Sequence, residues 1–179
     1  MNKEVSRELH RNLLIHNTYE VVEEEKPLCF VKSMKENHYL CSKTQEEQEI
    51  MERRTTSNRI TELRPGEIFV FGSNLQGAHG GGAAYLAYMK WGAIWGQGVG
   101  LQGQTYGIPT MHGGPEEIRP YVDEFIVFAK EHPELTFLVT EIGCGIAGFV
   151  PEEIAPLFKN AVEVENIHLP ERFWKVIKK

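Results

Sequence analysis

All seventeen glycines of this 179-residue chain follow residue 60, and thirteen of them lie between Gly72 and Gly114. They are not spread as in a flexible linker. They gather where short apolar runs end. IFVF at 68–71 stops at Gly72, and LTFLVTEI at 135–142 stops at Gly143. Each run reads as a buried strand. Each is followed by a stretch that suits a helix: GGAAYLAYMK over 81–90, and a Pro-Glu-Glu start over 151–159. The clearest helix spans 116–131, where Ile118, Tyr121, Val122, Phe125, Phe128 and Ala129 recur at three- and four-residue steps. Further strands are expected at 105–109 and at 162–164, the latter extending toward 167. Strands alternating with helices pair in parallel through crossovers. The expected fold is therefore α/β, a three-layer sandwich with a mainly parallel sheet. In such sheets ligands sit outside the carboxyl ends of the strands.

The first part of the chain has a different character. It holds no glycine, and the composition breaks within TTSNRITELRPG at 55–66. We place a small α+β appendage at 1–58 and the α/β domain at 59–179. In the appendage a helix is expected over 4–14 and strands over 19–22, 28–31 and 38–41. A polar helix is expected over 44–54, acidic early and basic late as the helix dipole favours.

A net charge of −6 argues against an extended nucleic-acid surface. It leaves small anions possible, because backbone N–H groups bind them without side-chain charge. Cys29, Cys41 and Cys144 are odd in number and match no zinc spacing, so they read as reduced thiols of a cytoplasmic protein with no metal. No apolar stretch has the length of a membrane span or the pattern of a signal peptide.

The two loops at the strand exits carry the chemistry. The first runs GSNLQGAHGGG from Gly72 to Gly82, and the second GCGIAG from Gly143 to Gly148. Glycine lets successive N–H groups converge on an anion, and it removes the Cβ that would hold a phosphate off the backbone. A helix start behind each loop adds a favourable dipole. No Gly-Lys-Ser/Thr follows, so neither is a Walker loop. GCGIAG fits G-x-G-x-x-G, but no acidic residue ends a strand about 20 residues on in the manner of a dinucleotide fold. The candidate binding residues are Gly72, Ser73, Asn74, Gly80, Gly81, Gly82, Gly143, Cys144, Gly145, Ile146, Ala147 and Gly148.

Several side chains have two readings each. Asn74 can bond ribose hydroxyls or cap its own turn. His79 and His112 are candidate general bases or solvated loop residues. Cys144, between glycines at a helix start, has conditions that lower a thiol pKa and would serve as a nucleophile if a histidine stood beside it. Glu141 is a candidate water activator or a structural carboxylate. The glycine-aromatic stretch 91–103 has the composition of a lid or ligand wall.

IFVFGSNLQGAHGGGAA, GQGVGLQGQTYGIPT and FLVTEIGCGIAGFVPEEIAPLF together resemble the bacterial and phage macro-domain-like family, distant relatives of ADP-ribose-binding macro domains. The resemblance covers about residues 60–173. It implies that Asn74 and Gly80–Gly82 line a ribose and that Gly143–Gly148 wrap a diphosphate. The implied function is binding of ADP-ribose or a related nucleotide without a cofactor, with hydrolysis of an ADP-ribosyl linkage as its enzymatic extension. The candidate catalytic residues, read from the side chains themselves, are Asn74, His79 and Cys144. The chain departs from the macro pattern in having Gly-Ser-Asn where an asparagine pair is usual, and Cys144 within the glycine loop. Two other readings stand beside this one: a non-enzymatic phage- or host-interaction protein with structural glycines, and a hydrolase that uses Cys144.

Overall fold

The fold is built around one strand that is buried on both faces. β2 (Glu67–Ser73) sends Ile68 and Val70 into one hydrophobic cluster and Phe69 and Phe71 into another. That is why IFVF shows no polar alternation. A computed structural model describes residues 54–179, together with Gln45, residues 48–50 and Glu52. These belong to the unit Leu40–Lys179. The appendage elements expected over 4–41 lie outside the described residues. Gln45, residues 48–50 and Glu52 are helical, inside the helix expected over 44–54.

Six strands form a single mixed sheet. They are β1 (Thr55–Thr56), β2, β3 (Gly100–Gln102), β4 (Thr105–Pro109), β5 (Thr136–Val139) and β6 (Ile167–Pro170). Their spatial order is β1-β6-β5-β2-β4-β3, and β3 on β4 is the antiparallel pair. The larger cluster packs helix α2 (Pro115–Glu131), a 3₁₀ segment (Ala155–Glu163) and helix α4 (Glu171–Ile177) on one face of β2. The smaller packs helix α1 (Gly82–Lys90) on the opposite face. α3 (Pro151–Ile154) leads directly into the 3₁₀ segment. Among the described residues, no helix is long and apolar enough to cross a membrane.

Three expectations need revising. The helix expected over 151–159 turns 3₁₀ at Ala155, where Pro156 can donate no hydrogen bond to the preceding turn. The last strand is Ile167–Pro170, not 162–164. Val162 and Val164 have strand propensity, but their carbonyls are held by Arg54 at the end of the 3₁₀ segment. The sheet also begins earlier than residue 59, since Thr55 and Thr56 pair with Leu169 and Pro170.

Arg54 explains how a two-residue polar strand belongs to the sheet. Its side chain is buried, and it donates to the carbonyls of Ala161, Val162, Val164 and Ile167 at 2.6–3.2 Å. The guanidinium lies 5.5 Å from the Trp174 ring centroid, and Trp174 Nε1 donates back to the Arg54 carbonyl. Burial lowers the Arg54 pKa, and Glu165 opposes that shift. Arg54→Ala leaves four buried carbonyls without this donor. It is expected to lower the unfolding free energy by about 3 kcal/mol. Urea denaturation checks this, and a loss below about 1 kcal/mol would remove Arg54 from this role.

Candidate functional site

β2 and β5 are parallel neighbours, so the loops that leave their carboxyl ends stand side by side. They come so close at Gly72 that a Cβ there would lie 3.1 Å from Thr110 Oγ1 and 3.3 Å from Gly143 N. β4, on the other side of β2, brings Thr110 and Met111 to the same edge. The result is a cavity of about 180 Å³. Of the twelve candidate binding residues, nine line it: Gly72, Ser73, Asn74, Gly81, Gly82, Gly143, Gly145, Ile146 and Ala147. Gly80, Cys144 and Gly148 do not.

The cavity is rich in unused backbone donors. In the second loop Cys144 N donates to Glu141 O, Gly148 N to Gly145 O and Phe149 N to Gly143 O, at 3.0–3.1 Å. That pattern curls the loop and leaves the amides of Gly145, Ile146 and Ala147 without an acceptor among the described residues. Three consecutive free N–H groups form an anion nest. The first turn of α1 adds Gly82, Ala83 and Ala84, whose amides have no partner one turn back. Its N-cap is Gly81, no side chain caps it, and no acidic residue stands in its first turn. The starts of α2 and α3 each carry a glutamate that closes a capping box. Glu117 accepts from Gly114 N, and Glu153 from Val150 N, both at 2.9 Å. α1 and α4 lack such a box, and of these two starts it is that of α1 that lines this cavity.

The side-chain candidates fare unevenly. Asn74 Nδ2 donates to Ala78 O at 2.8 Å, and Asn74 Oδ1 accepts from Ala78 N at 2.9 Å. Its amide closes a turn, and it forms cavity wall on that account. His79 is neither a base in the cleft nor a solvated loop residue. It is fully buried behind the loop, with Nε2 3.1 Å from the carbonyls of Ile94 and Gln97. Between two carbonyls that nitrogen carries the proton. The ring packs edge-on against Phe71. His112 also turns away: its Nε2 bonds Glu117 O and its ring meets Tyr121.

Cys144 contradicts the low thiol pKa expected of it. Burial pushes the thiol up to about 11, and Glu141, Glu152 and Glu153 add to the shift against an opposing Arg172. The side chain packs on the larger core cluster instead of lining the cavity. The helix that was expected to lower the pKa begins only at Pro151, seven residues on, so desolvation and three carboxylates set the thiol's state. None of the residues of the stretch 91–103, expected as a lid or ligand wall, lines this cavity or the larger one beside it. The stretch braces the first loop from behind, and its end forms β3.

A second, larger cavity of about 600 Å³ joins the first through shared Gly82, Ala83, Thr140 and Glu141. That volume is within the roughly 300–1,000 Å³ of small-molecule sites. Ile60, Phe69, Leu86, Val139 and Pro170 give it apolar walls, and Arg59 and Arg172 are on its lining. Sequence reasoning did not find it. Part of its wall comes from the end of β1, the segment after it, the end of β6 and the start of α4, which carry no local signal and join the expected strand and helix residues only in the fold. At the junction, Arg172 Nη1 holds Glu141 Oε2 at 2.7 Å. Among the described residues, Glu141 is the one charged side chain on the small cavity, and no cluster of three or more His, Cys, Asp or Glu could hold a metal ion.

A protonated Cys144 thiol predicts slow alkylation at neutral pH. With Cys29→Ser and Cys41→Ser in place, iodoacetamide should modify the native protein far more slowly than a free thiol at pH 8. The rate should climb as the pH approaches 11. Fast modification at pH 7 would restore Cys144 as a nucleophile. Comparison with family models, with curated proteins and with solved structures found no match to this chain.

Proposed function

We propose that this domain binds ADP-ribose or a related phosphate-bearing nucleotide, with the phosphates on the small cavity and the nucleoside in the larger one. The observation that carries this is that two sets of residues with free amides, Gly145–Ala147 and the first turn of α1, line one cavity. Backbone N–H groups at a helix start are an anion site that needs no lysine or arginine. The adjoining cavity has the volume and the apolar walls that a base requires. A mixed, mostly parallel sheet with helices on both faces, and glycine loops at adjacent strand ends, is consistent with a macro-like three-layer sandwich.

Binding is favoured over hydrolysis. Asn74 is committed to Ala78, His79 is buried behind the loop, and Cys144 holds its proton. Glu141 remains as the carboxylate at the cavity, and Arg172 engages one of its oxygens.

The test is thermal unfolding of the full chain with millimolar ADP-ribose. At a hundredfold excess over Kd the stabilisation is about 2.7 kcal/mol, a rise of roughly 5–10 °C for a domain of this size. Gly145→Glu should abolish the rise. A Cβ at Gly145 meets nothing within 4 Å, so the fold is kept while a carboxylate enters the nest. No shift across a panel of nucleotides would reject the proposal and favour the interaction protein with structural glycines. A shift that survives Gly145→Glu would move the site elsewhere.

A further inference from the structure

The junction between the two cavities differs in chemistry from what lies beside it. The small cavity offers donors, the free amides of Gly145, Ile146 and Ala147 and of the start of α1. The junction offers side-chain acceptors. Glu141 Oε2 is held by Arg172, and Oε1 makes no hydrogen bond among the described residues. Thr140 donates its hydroxyl proton to Val70 O at 2.9 Å, so its oxygen is left to accept. Both residues line both cavities.

A ligand that fits must therefore change character across a few ångströms. It presents acceptors to the amides, donors to Glu141 and Thr140, and an apolar group beyond them. A carboxylate this close to a phosphate is unfavourable unless it is offset and used. Arg172 supplies the offset, and a hydroxyl pair supplies the use, since a carboxylate accepts well from ribose hydroxyls. In a ribonucleoside diphosphate the group between the phosphates and the base carries such a pair.

We infer that Glu141, with Thr140, selects a ribose over its deoxygenated analogue next to the phosphates, which makes ribonucleoside diphosphates the ligand class. This rests on the nucleotide-binding function proposed above. Glu141 is the specificity-determining residue. Arg172 is a positioning residue that holds the carboxylate across the junction.

The experiment is calorimetric titration of the full chain with ADP and with 2′,3′-dideoxy-ADP. The wild-type protein should prefer ADP by about tenfold or more, the scale of a hydrogen bond to a charged group. Glu141→Ala should bring the ratio near one, and an unchanged unfolding midpoint of the ligand-free variant reports an intact fold. Glu141→Gln keeps the shape and one acceptor, and it should reduce the preference several-fold. Equal wild-type affinity for the two nucleotides overturns the role of Glu141 alone, as does an unchanged preference in both variants. Binding of neither nucleotide overturns the nucleotide function, and this inference with it.

Discussion

The candidate site depends on a seam where backbone lies directly on backbone. A Cβ on Gly98 would overlap Asn74 O, and a Cβ on Gly77 would overlap Gln97 N. Gly77 N donates to Asn74 O, and Gly96 N donates to Gly77 O at 2.9 Å. The His79 ring closes the seam from inside by bonding Ile94 and Gln97 carbonyls, and Gln102 adds bonds to Ile94 N and Gln97 O. These contacts fix the path of residues 74–79, and that path sets where Gly81 and the start of α1 stand. The donors are thus placed by protein contacts, so little ordering cost falls on binding.

Arg54 does the corresponding work for the larger cavity. It cross-links the start of the sheet to the end of the 3₁₀ segment and to Trp174 of α4. The chain that leaves β1 supplies Ser57, Asn58 and Arg59 to that cavity, and α4 supplies Arg172. One buried cation therefore places two lining segments that are more than a hundred residues apart in sequence. Three of its four partner carbonyls, Ala161, Val162 and Val164, lie at the end of the 3₁₀ segment, where positive charge is favoured, and the fourth, Ile167, opens β6.

Much of the frame was legible in the sequence because its causes are local. IFVF lacks polar alternation because both faces of β2 are covered. The α2 pattern follows from a single buried stripe of Ile118, Val122, Phe125 and Ala129. The two loops left a mark because close approach and left-handed backbone, as at Gly82 and Gly143, demand glycine. What was not legible depends on partners far along the chain. β1 is two threonines that pair because Arg54 reaches residues 161–167. His79 looks like a loop histidine until carbonyls 15 and 18 residues onward enclose it. Cys144 reads in sequence as a thiol at a helix start, but the helix begins only at Pro151, and burial and Glu141 hold the thiol protonated. Asn74 carried two readings, and neighbouring geometry assigned its amide to Ala78.

The distribution of charge bears on how such a site would recognise an anion. The protein carries a net charge of −6, and the small cavity is lined by one carboxylate and no lysine or arginine. Its long-range field therefore repels polyanions, and attraction begins only at hydrogen-bond distance from the amides. A long nucleic acid, which needs many distributed contacts to cationic side chains, gains little from one small nest. A compact anion needs only a few donors at short range, which is what the residues lining this cavity offer. The acceptors at the junction then impose a further demand that inorganic phosphate cannot meet. Recognition of this kind relies on matched donors and acceptors over a short path and not on net attraction. An acidic surface is compatible with it for that reason.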